Sequence, residues 1–480
     1  MSTRFAEPIA KDIDLPVLDR DFIDESFERV TGAQLIHGND VRLLIDATEN
    51  YPAWLEAIDS AEKRIFFETY IIHNDEQGKI FGDKLIEKAK QGVEVKLVYD
   101  WFGGLGNTPW KYWRSLRAHG IEVGAYNPPK LTDPLGILSR DHRKSMVVDG
   151  RVAFVSGLCV GQDWVGHPSQ GTPPWRDTGV QLTGPAVADV EAAFAEVWGT
   201  IGEPLDKSRL VKRSELAETG NFPVRIVQSV PGKAHIYRFD QLLSVAARET
   251  MWISDAYFVG VPSYLQSLKD ASEDGVDVRV LVPQSTDLGL IRDTTRSTYR
   301  PLLEAGIRVF EWNGPMMHAK TAVFDGRFSR VGSTNLNVAS WFGNYELDII
   351  VEDEGFGQLM QEMFLRDMEG STEIVLSETY TRRPKRKKQR RFRRKGSGSM
   401  HRTTAGALNA ATSIGSAITK KTVLGPAEAR ILVIAGSIML GLALLLIKWP
   451  RGASIPFVVL LLMLAIPTLI RAIQIYRKHG

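Results

Sequence analysis

Most of this chain is written twice, and that duplication limits its possible folds more than any other feature of the sequence. Four landmarks recur in the same order. The first copy reads RIFFETY (Arg64–Tyr70), QGVEVKLVYD (Gln91–Asp100), AHGIEVGAYN (Ala118–Asn127) and HRKSMVVDGRVAFVSG (His142–Gly157). The second reads TMWISDAY (Thr250–Tyr257), DGVDVRVLVP (Asp274–Pro283), AGIRVFEWN (Ala305–Asn313) and HAKTAVFDGRFSRVGS (His318–Ser333). The copies lie roughly 180 residues apart, so each is a domain and not a solenoid unit.

Within a copy, strand-like and helix-like pieces alternate. Arg64–Tyr70 and Val93–Tyr99 are rich in β-formers, while Ile80, Leu85, Ile86 and Ala89 between them have helical spacing. That rhythm predicts an α/β layer architecture. The expected organisation is an N-terminal segment (1–38), a first domain (39–201), a linker (202–221) and a second domain (222–378). A basic strap and linker (379–430), two apolar spans (431–470) and a basic tail (471–480) follow.

Each copy ends in H-x-K-x4-D: His142, Lys144 and Asp149, then His318, Lys320 and Asp325. Side chains two apart on a strand share a face, so each histidine is expected beside its lysine. A single His-x-Lys is an ordinary surface pair; two in matching contexts point to chemistry. Asp149 and Asp325 each precede a glycine between apolar runs, a hairpin signal, so they are read both as motif acids and as turn residues.

These motifs resemble the paired HKD motifs of the phospholipase D superfamily. The second copy extends the likeness, because Gly332, Ser333 and Asn335 match the family's G-S-x-N extension. The first copy departs from it: Ser156-Gly157-Leu158-Cys159 puts a thiol where an asparagine is common. FETYI, YDWFGG, WRDTGVQLTGPAVADVEAAFAEVW, DAYF and SWFGNYELDIIVED resemble bacterial cardiolipin synthases in particular, over most of residues 40–370.

The resemblance implies two phospholipase D-type domains, each a central mixed β-sheet flanked by helices, related by a pseudo-twofold axis around one site. A phosphodiester repels nucleophiles, so catalysis requires cations and preorganised donors at its oxygens. Lys144, Lys320, Ser333, Asn335 and Ser156 are the candidates. One neutral imidazole attacks phosphorus while the other, protonated, supplies the leaving alcohol's proton. The resemblance assigns attack to His142 and the acid role to His318, with Asp177 and Glu346 as the acids that orient them. The scheme requires no metal or cofactor, and no metal-ligand spacing such as HExxH or CxxC appears.

Three other candidates carry less. WFGGLGN (Trp101–Asn107) matches neither a P-loop nor a dinucleotide fingerprint and reads as a loop at a strand end. Cys159 reads as a small packed residue or a reactive thiol. Trp164, Trp175, Trp341 and Phe342 flank the motifs and read equally as core or as acyl-chain contacts.

Outside the repeats the chain changes character. Residues 382–395 (Arg382–Lys395) hold eleven Lys or Arg and no acid, and removing them takes the whole chain's +2 to −9. Ile431–Ile447 and Ala453–Ile470 are charge-free apolar runs separated by KWPRG, which predicts a transmembrane helical hairpin. The flanking Lys420, Lys421, Arg430, Arg471, Arg477 and Lys478 outnumber the turn's Lys448 and Arg451, which places the body on the cytoplasmic side. The start, MSTRFAEPIAKDIDLP, lacks the apolar run of a cleaved export signal. One cysteine in the chain excludes an intramolecular disulfide and fits a reducing setting.

The expectation is therefore a phosphatidyltransferase of a bacterial inner membrane. It would move a phosphatidyl group from one phosphatidylglycerol to another lipid alcohol, its strap attracted to anionic lipid. The rival readings are a phospholipase D that releases phosphatidic acid, an HKD nuclease and a scaffold that kept only the fold. The membrane hairpin and lipid-enzyme-like flanks count against nucleic acid as a partner.

Overall fold

A computed structural model of the chain describes residues 20–129, 139–287 and 289–376. The first copy supplies β1 (Ile36–Ile45), β2 (Arg64–Thr69), β3 (Glu94–Asp100), β4 (Glu122–Tyr126), β5 (Ser145–Val148), β6 (Val152–Ser156) and β7 (Thr178–Thr183). The second supplies β8 (Phe222–Ser229), β9 (Thr250–Asp255), β10 (Asp277–Pro283), β11 (Arg308–Trp312), β12 (Lys320–Phe324), β13 (Phe328–Gly332) and β14 (Glu346–Glu352), with β15 (Ser371–Ile374) on its edge.

All belong to one mixed sheet of order β15-β11-β10-β9-β12-β13-β14-β8-β1-β7-β6-β5-β2-β3-β4. Read outward from its middle, the first half runs 1-7-6-5-2-3-4 and the second 8-14-13-12-9-10-11. These are the same order twice, joined by the antiparallel β1–β8 pair. Parallel pairs β2–β3 and β3–β4, and their counterparts β9–β10 and β10–β11, need crossover helices, which the helical spacing between landmarks provides.

The helices are α1 (Arg20–Thr31), α2 (Asp46–Ser60), α3 (Glu76–Lys90), α4 (Trp101–Gly104), α5 (Trp110–Ala118), α6 (Gln162–Val165) and α7 (Val187–Ile201). In the second half come α8 (His235–Ala246), α9 (Pro262–Glu273), α10 (Gly289–Ser297), α11 (Tyr299–Glu304) and α12 (Glu354–Glu369). Asp75 and Asp353 cap α3 and α12 by accepting from Gly78 N and Phe356 N.

Central strands such as β14 are buried along their whole length because both faces are covered. One core cluster crosses from half to half: Phe194 and Val197 of α7 and Met360 and Phe364 of α12 pack with the sheet residues Phe66, Val155, Trp252 and Ile349. Each outer face has its own core, under α2, α3 and α5 in the first half and under α8 and α9 in the second.

Two boundaries differ from the sequence reading. β1 begins at Ile36, and α1, from the N-terminal segment, packs on the second half, where Phe27 lies 5.0 Å from Phe239. The strands also start later than the motifs: β5 opens at Ser145 and β12 at Lys320, leaving both histidines just upstream. The basic strap, both apolar runs and the basic tail lie outside the described residues. Among the described residues no helix is long and apolar enough to cross a membrane.

Candidate active site

The two Asp-Gly steps form hairpin turns. Asp149 and Gly150 have φ of +54° and +66°, and Asp325 and Gly326 +50° and +59°, the successive positive angles of a type I′ turn. The Asp149 carboxylate accepts from Glu62, Lys63 and Arg64 backbone N–H at 2.8 Å each, at the start of β2. Asp325 does the same for Arg248, Glu249 and Thr250 at 2.8–2.9 Å. These groups lie beyond the far ends of β5 and β12, on the order of 20 Å along the chain from the histidines at ~3.3 Å per residue. Of the two readings of Asp149 and Asp325, as motif acids and as turn residues, this geometry supports the second and sets them away from the histidines: they tie strand ends together.

At the other end of the same strands the two halves exchange contacts. The backbone N–H of His142 donates to Tyr345 O at 2.9 Å, and that of His318 to Arg176 O at 2.7 Å. Single parallel bridges join Asp141 to Tyr345 and Arg176 to Met317. Each crossing brings the next acid in the chain up to the other half's histidine. His142 Nδ1 lies 3.0 Å from Glu346 Oε2, and His318 Nδ1 lies 2.7 Å from Asp177 Oδ2. A carboxylate can only accept, so each Nδ1 carries the N–H and each Nε2 is left for other chemistry.

The lysines complete the symmetry. Lys144 Nζ donates to His142 O at 2.5 Å and Lys320 Nζ to His318 O. Both are buried, and among the described residues neither closes an ion pair. Tyr70 covers the first set, 5.1 Å from the His142 ring and 5.3 Å from Lys144 Nζ. Tyr257 covers the second at 5.9 and 5.7 Å. These tyrosines, one residue out of register in FETY and DAY, are visible in the duplication but draw no role from the sequence.

Burial lowers the His142 pKa; Glu346 works against this, and Lys144 and Lys320 add to it. Burial and then Lys320 push His318 down to about 4, with Lys144 contributing. Burial takes Lys320 to about 8. Each lysine thus acts on both histidines, so the two sets share one electrostatic site. Burial is the largest influence on Asp177 and Glu346 and would raise both, but the histidine partner of each, the lysine of that histidine and a side-chain donor together outweigh it and hold the carboxyl below its ordinary value.

The two acids are supported differently. Glu346 Oε2 accepts from the Ser333 hydroxyl at 2.6 Å, and Ser333 Oγ in turn accepts from Leu347 N at 3.0 Å. Ser333, expected on the phosphate, therefore spends its proton on the acid. At the aligned position the first half has Gly157, whose absent Cβ would fall 2.2 Å from Asp177 Oδ1. Asp177 is held instead by Trp164, whose indole N–H donates to Oδ2 at 2.9 Å. Trp164 also packs edge-on to His318 at 5.5 Å, a role nothing in its irregular local sequence announces.

Asn335 is 4% exposed and its amide oxygen, an acceptor, has no partner among the described residues; toward a phosphoryl oxygen only its NH2 could donate. Cys159 occupies the corresponding place; burial raises its thiol, and both site lysines oppose that shift. Ser156, expected on the phosphate, instead turns its hydroxyl onto Leu158 O at 3.4 Å. Trp175 is half-buried 5.9 Å from His318, Trp341 is buried, and Phe342 is exposed. Below His142, Glu68, Asp100 and Asp141 form a buried acid group, raised chiefly by burial. Among the described residues no cluster of three or more His, Cys, Asp or Glu is arranged to hold a metal ion.

A duplicated α/β sheet whose halves trade acids to each other's histidine, with a buried lysine beside each, defines the phospholipase D-like class of phosphodiester-transfer enzymes. The family model described as "Cardiolipin synthase, PLD-like domain" matches residues 54–161 and 241–368. Cardiolipin synthase A of Pseudomonas fluorescens is 33% identical over 346 residues, 71% of each chain. Cardiolipin synthase of Alkalihalophilus pseudofirmus is 31% identical over 347 residues, 71% of this chain and 68% of the relative. The chain belongs to this family and is a phosphatidyltransferase of the phospholipase D superfamily. The fold is also that of a phosphatidylserine synthase from Haemophilus influenzae, at a TM-score of 0.58 and 14% identity over 73% of this chain and 91% of the other.

Proposed function

We propose that the chain makes cardiolipin from two molecules of phosphatidylglycerol through a phosphohistidine. The observation that carries this reading is the pair of buried lysines, neither in an ion pair among the described residues, each beside a histidine whose Nδ1 is held by an acid and whose Nε2 is left for chemistry. A buried ammonium without a counter-ion is costly, and an anionic phosphodiester offsets that cost. The cardiolipin synthase names of the relatives support the lipid identity.

His142 Nε2 attacks phosphorus while the P–O bond to glycerol breaks, and the departing oxygen takes the proton of His318 Nε2. A hydroxyl of the second phosphatidylglycerol then attacks. Its proton passes to His318, its oxygen bonds phosphorus, and the P–N bond's electron pair returns to His142. The shorter, Trp164-supported Asp177 contact favours His318 as the group that carries positive charge. Both histidines are neutral in the free protein; the bound phosphate's negative charge counters the two lysines and restores one proton. Lys144, Lys320 and Asn335 hold the phosphoryl oxygens, and the repeats act as two domains about a pseudo-twofold axis. The apolar runs and strap hold the body to the cytoplasmic face of a bacterial inner membrane.

Purified protein in phosphatidylglycerol vesicles is expected to release one glycerol per cardiolipin formed. His142→Ala and His318→Ala should each lose about 10⁴-fold or more. Phosphatidic acid as the main product would favour hydrolysis, and full activity in either variant would refute the scheme.

A further inference from the structure

Of the ten large apolar side chains exposed among the described residues, five stand near the histidines; the others are Ile80 on α3, Leu359 and Leu365 on α12, and Val375 and Leu376 after β15. In the first half the near ones are Phe102 (48% exposed), Leu105 (56%) and Trp110 (62%), on and between α4 and α5. In the second they are Val338 (52%) and Phe342 (47%), on a π-helical turn, Ala339–Gly343, and the residue before it.

The first group adjoins the His142 side of the site, and the second lies between that side and Tyr257. Phe102 stacks under Arg140, whose guanidinium lies 4.4 Å from the ring centroid and which precedes His142 by two residues. Gly103 lies against Tyr70, where a Cβ would meet the Tyr70 carbonyl at 2.5 Å, and the Thr108 hydroxyl donates to Ile72 O. The π-helical turn leads to Asn344, which donates at 3.2 Å to Oε1 of Glu346, the acid on His142, while Asn337 before the turn donates at 3.1 Å to Tyr257 O, beside His318. The His318 side is edged differently, by Gln162 and Asp163 of α6 and by Asp287, which accepts from Tyr257 OH at 2.9 Å.

We propose that these five apolar residues form one lip that seats in the outer part of a phospholipid leaflet, so that headgroup phosphates enter between the histidines from the His142 side. The inference rests on the phosphatidyl-transfer reading, because the lip adjoins a site whose substrate is a bilayer lipid. Charge supports the same occupant: Lys111, Arg114 and Arg140 stand among the apolar tips, Arg114 5.5 Å from the Trp110 ring. Exposed aromatic and aliphatic tips bordered by cations are the composition that binds an anionic interface. The polar edge on the other side suits a leaving glycerol.

The test uses the full chain in phosphatidylglycerol-containing vesicles, with a nitroxide attached at Leu105→Cys. The native Cys159 is buried and does not compete for label. A control label at Gln91→Cys sits at the opposite end of the strands. The Leu105 label is expected to be relaxed by oxygen and shielded from a water-soluble nickel chelate, and the Gln91 label the reverse. Equal chelate exposure at the two positions would overturn the lip, wherever else the chain is anchored. A Leu105→Ser/Trp110→Ser double variant should lower the ratio of activity on vesicles to activity on monomeric short-chain phosphatidylglycerol about tenfold. An unchanged ratio would also overturn it. Wild type inactive on both substrates would strike the transfer reading alone, since the label measurement needs no turnover.

Discussion

The first half lends Asp177 to His318 and braces it with an indole N–H. The second lends the longer Glu346 to His142 and braces it with a hydroxyl. Strand order, turn geometry, lysine placement and a covering tyrosine are shared by the halves, so the divergence lies in the histidine supports and in Cys159 standing where the second half has Asn335. In two sets related by duplication, only differences of this kind can give one imidazole the work of attack and the other that of proton transfer. Gly157 shows how the difference is built: the space that Ser333's side chain takes in the second half is occupied in the first by the Asp177 carboxylate itself.

The largest effect expected after loss of a histidine is from the acids. Glu346→Gln and Asp177→Asn keep shape but can present an N–H to Nδ1, favouring the wrong tautomer, and each should reduce kcat about 10²–10⁴-fold. If the halves differ in role, a substrate with a good leaving group, which needs no acid, should rescue release of the first product in Asp177→Asn and not in Glu346→Gln. Equal rescue would erase the distinction.

A smaller effect is expected at the braces. Trp164→Phe and Ser333→Ala each remove one donor to a buried carboxylate, worth roughly 1.5–3 kcal/mol, or about tenfold to a hundredfold in rate. The sign on pH follows from the causes. A carboxylate with one donor fewer acts more strongly on its histidine, so the histidine pKa rises from its depressed value. The alkaline limb of kcat/KM, which follows the free enzyme's acid, should therefore move up in Trp164→Phe and less in Ser333→Ala. A downward or equal shift would contradict the assignment of His318 as the acid.

The smallest effect on chemistry is expected at Asp149 and Asp325. Alanine at either place leaves three strand-end N–H groups without their carboxylate and should cost about 2–3 kcal/mol of stability by thermal unfolding. The folded fraction should keep kcat within about threefold, and a loss as large as that at Glu346 would restore these residues to the reaction.

Much of this was legible in the sequence. The duplication announced two α/β units, and the matched His and Lys marked the site. The Asp-Gly steps already carried the turn reading that the positive φ angles bear out. What the sequence withheld is contact across the halves. Glu346 and Asp177 lie downstream of the motifs in their own copies, and nothing local shows that each serves the other copy's histidine. Ser333 reads as a phosphate contact from the G-S-x-N match and its hydroxyl, and Ser156 from its hydroxyl. Alignment of the copies sets Gly157, not Ser156, against Ser333, and the Ser333 hydroxyl faces an acid. Trp164 is an indole in the single turn of α6, and only a buried carboxylate beside it gives its N–H a meaning.

The most direct test is to trap the covalent intermediate. With a phosphatidyl ester of p-nitrophenol, the His318→Ala chain should release one nitrophenolate per molecule and then stop, because the second step lacks its base. Peptide mapping under alkaline conditions, which preserve a phosphohistidine, should locate the phosphatidyl group on His142. A stalled adduct on His318 in the His142→Ala chain would reverse the assignment of roles. The absence of any adduct in either variant would contradict two histidines, one from each half, acting on a single phosphorus.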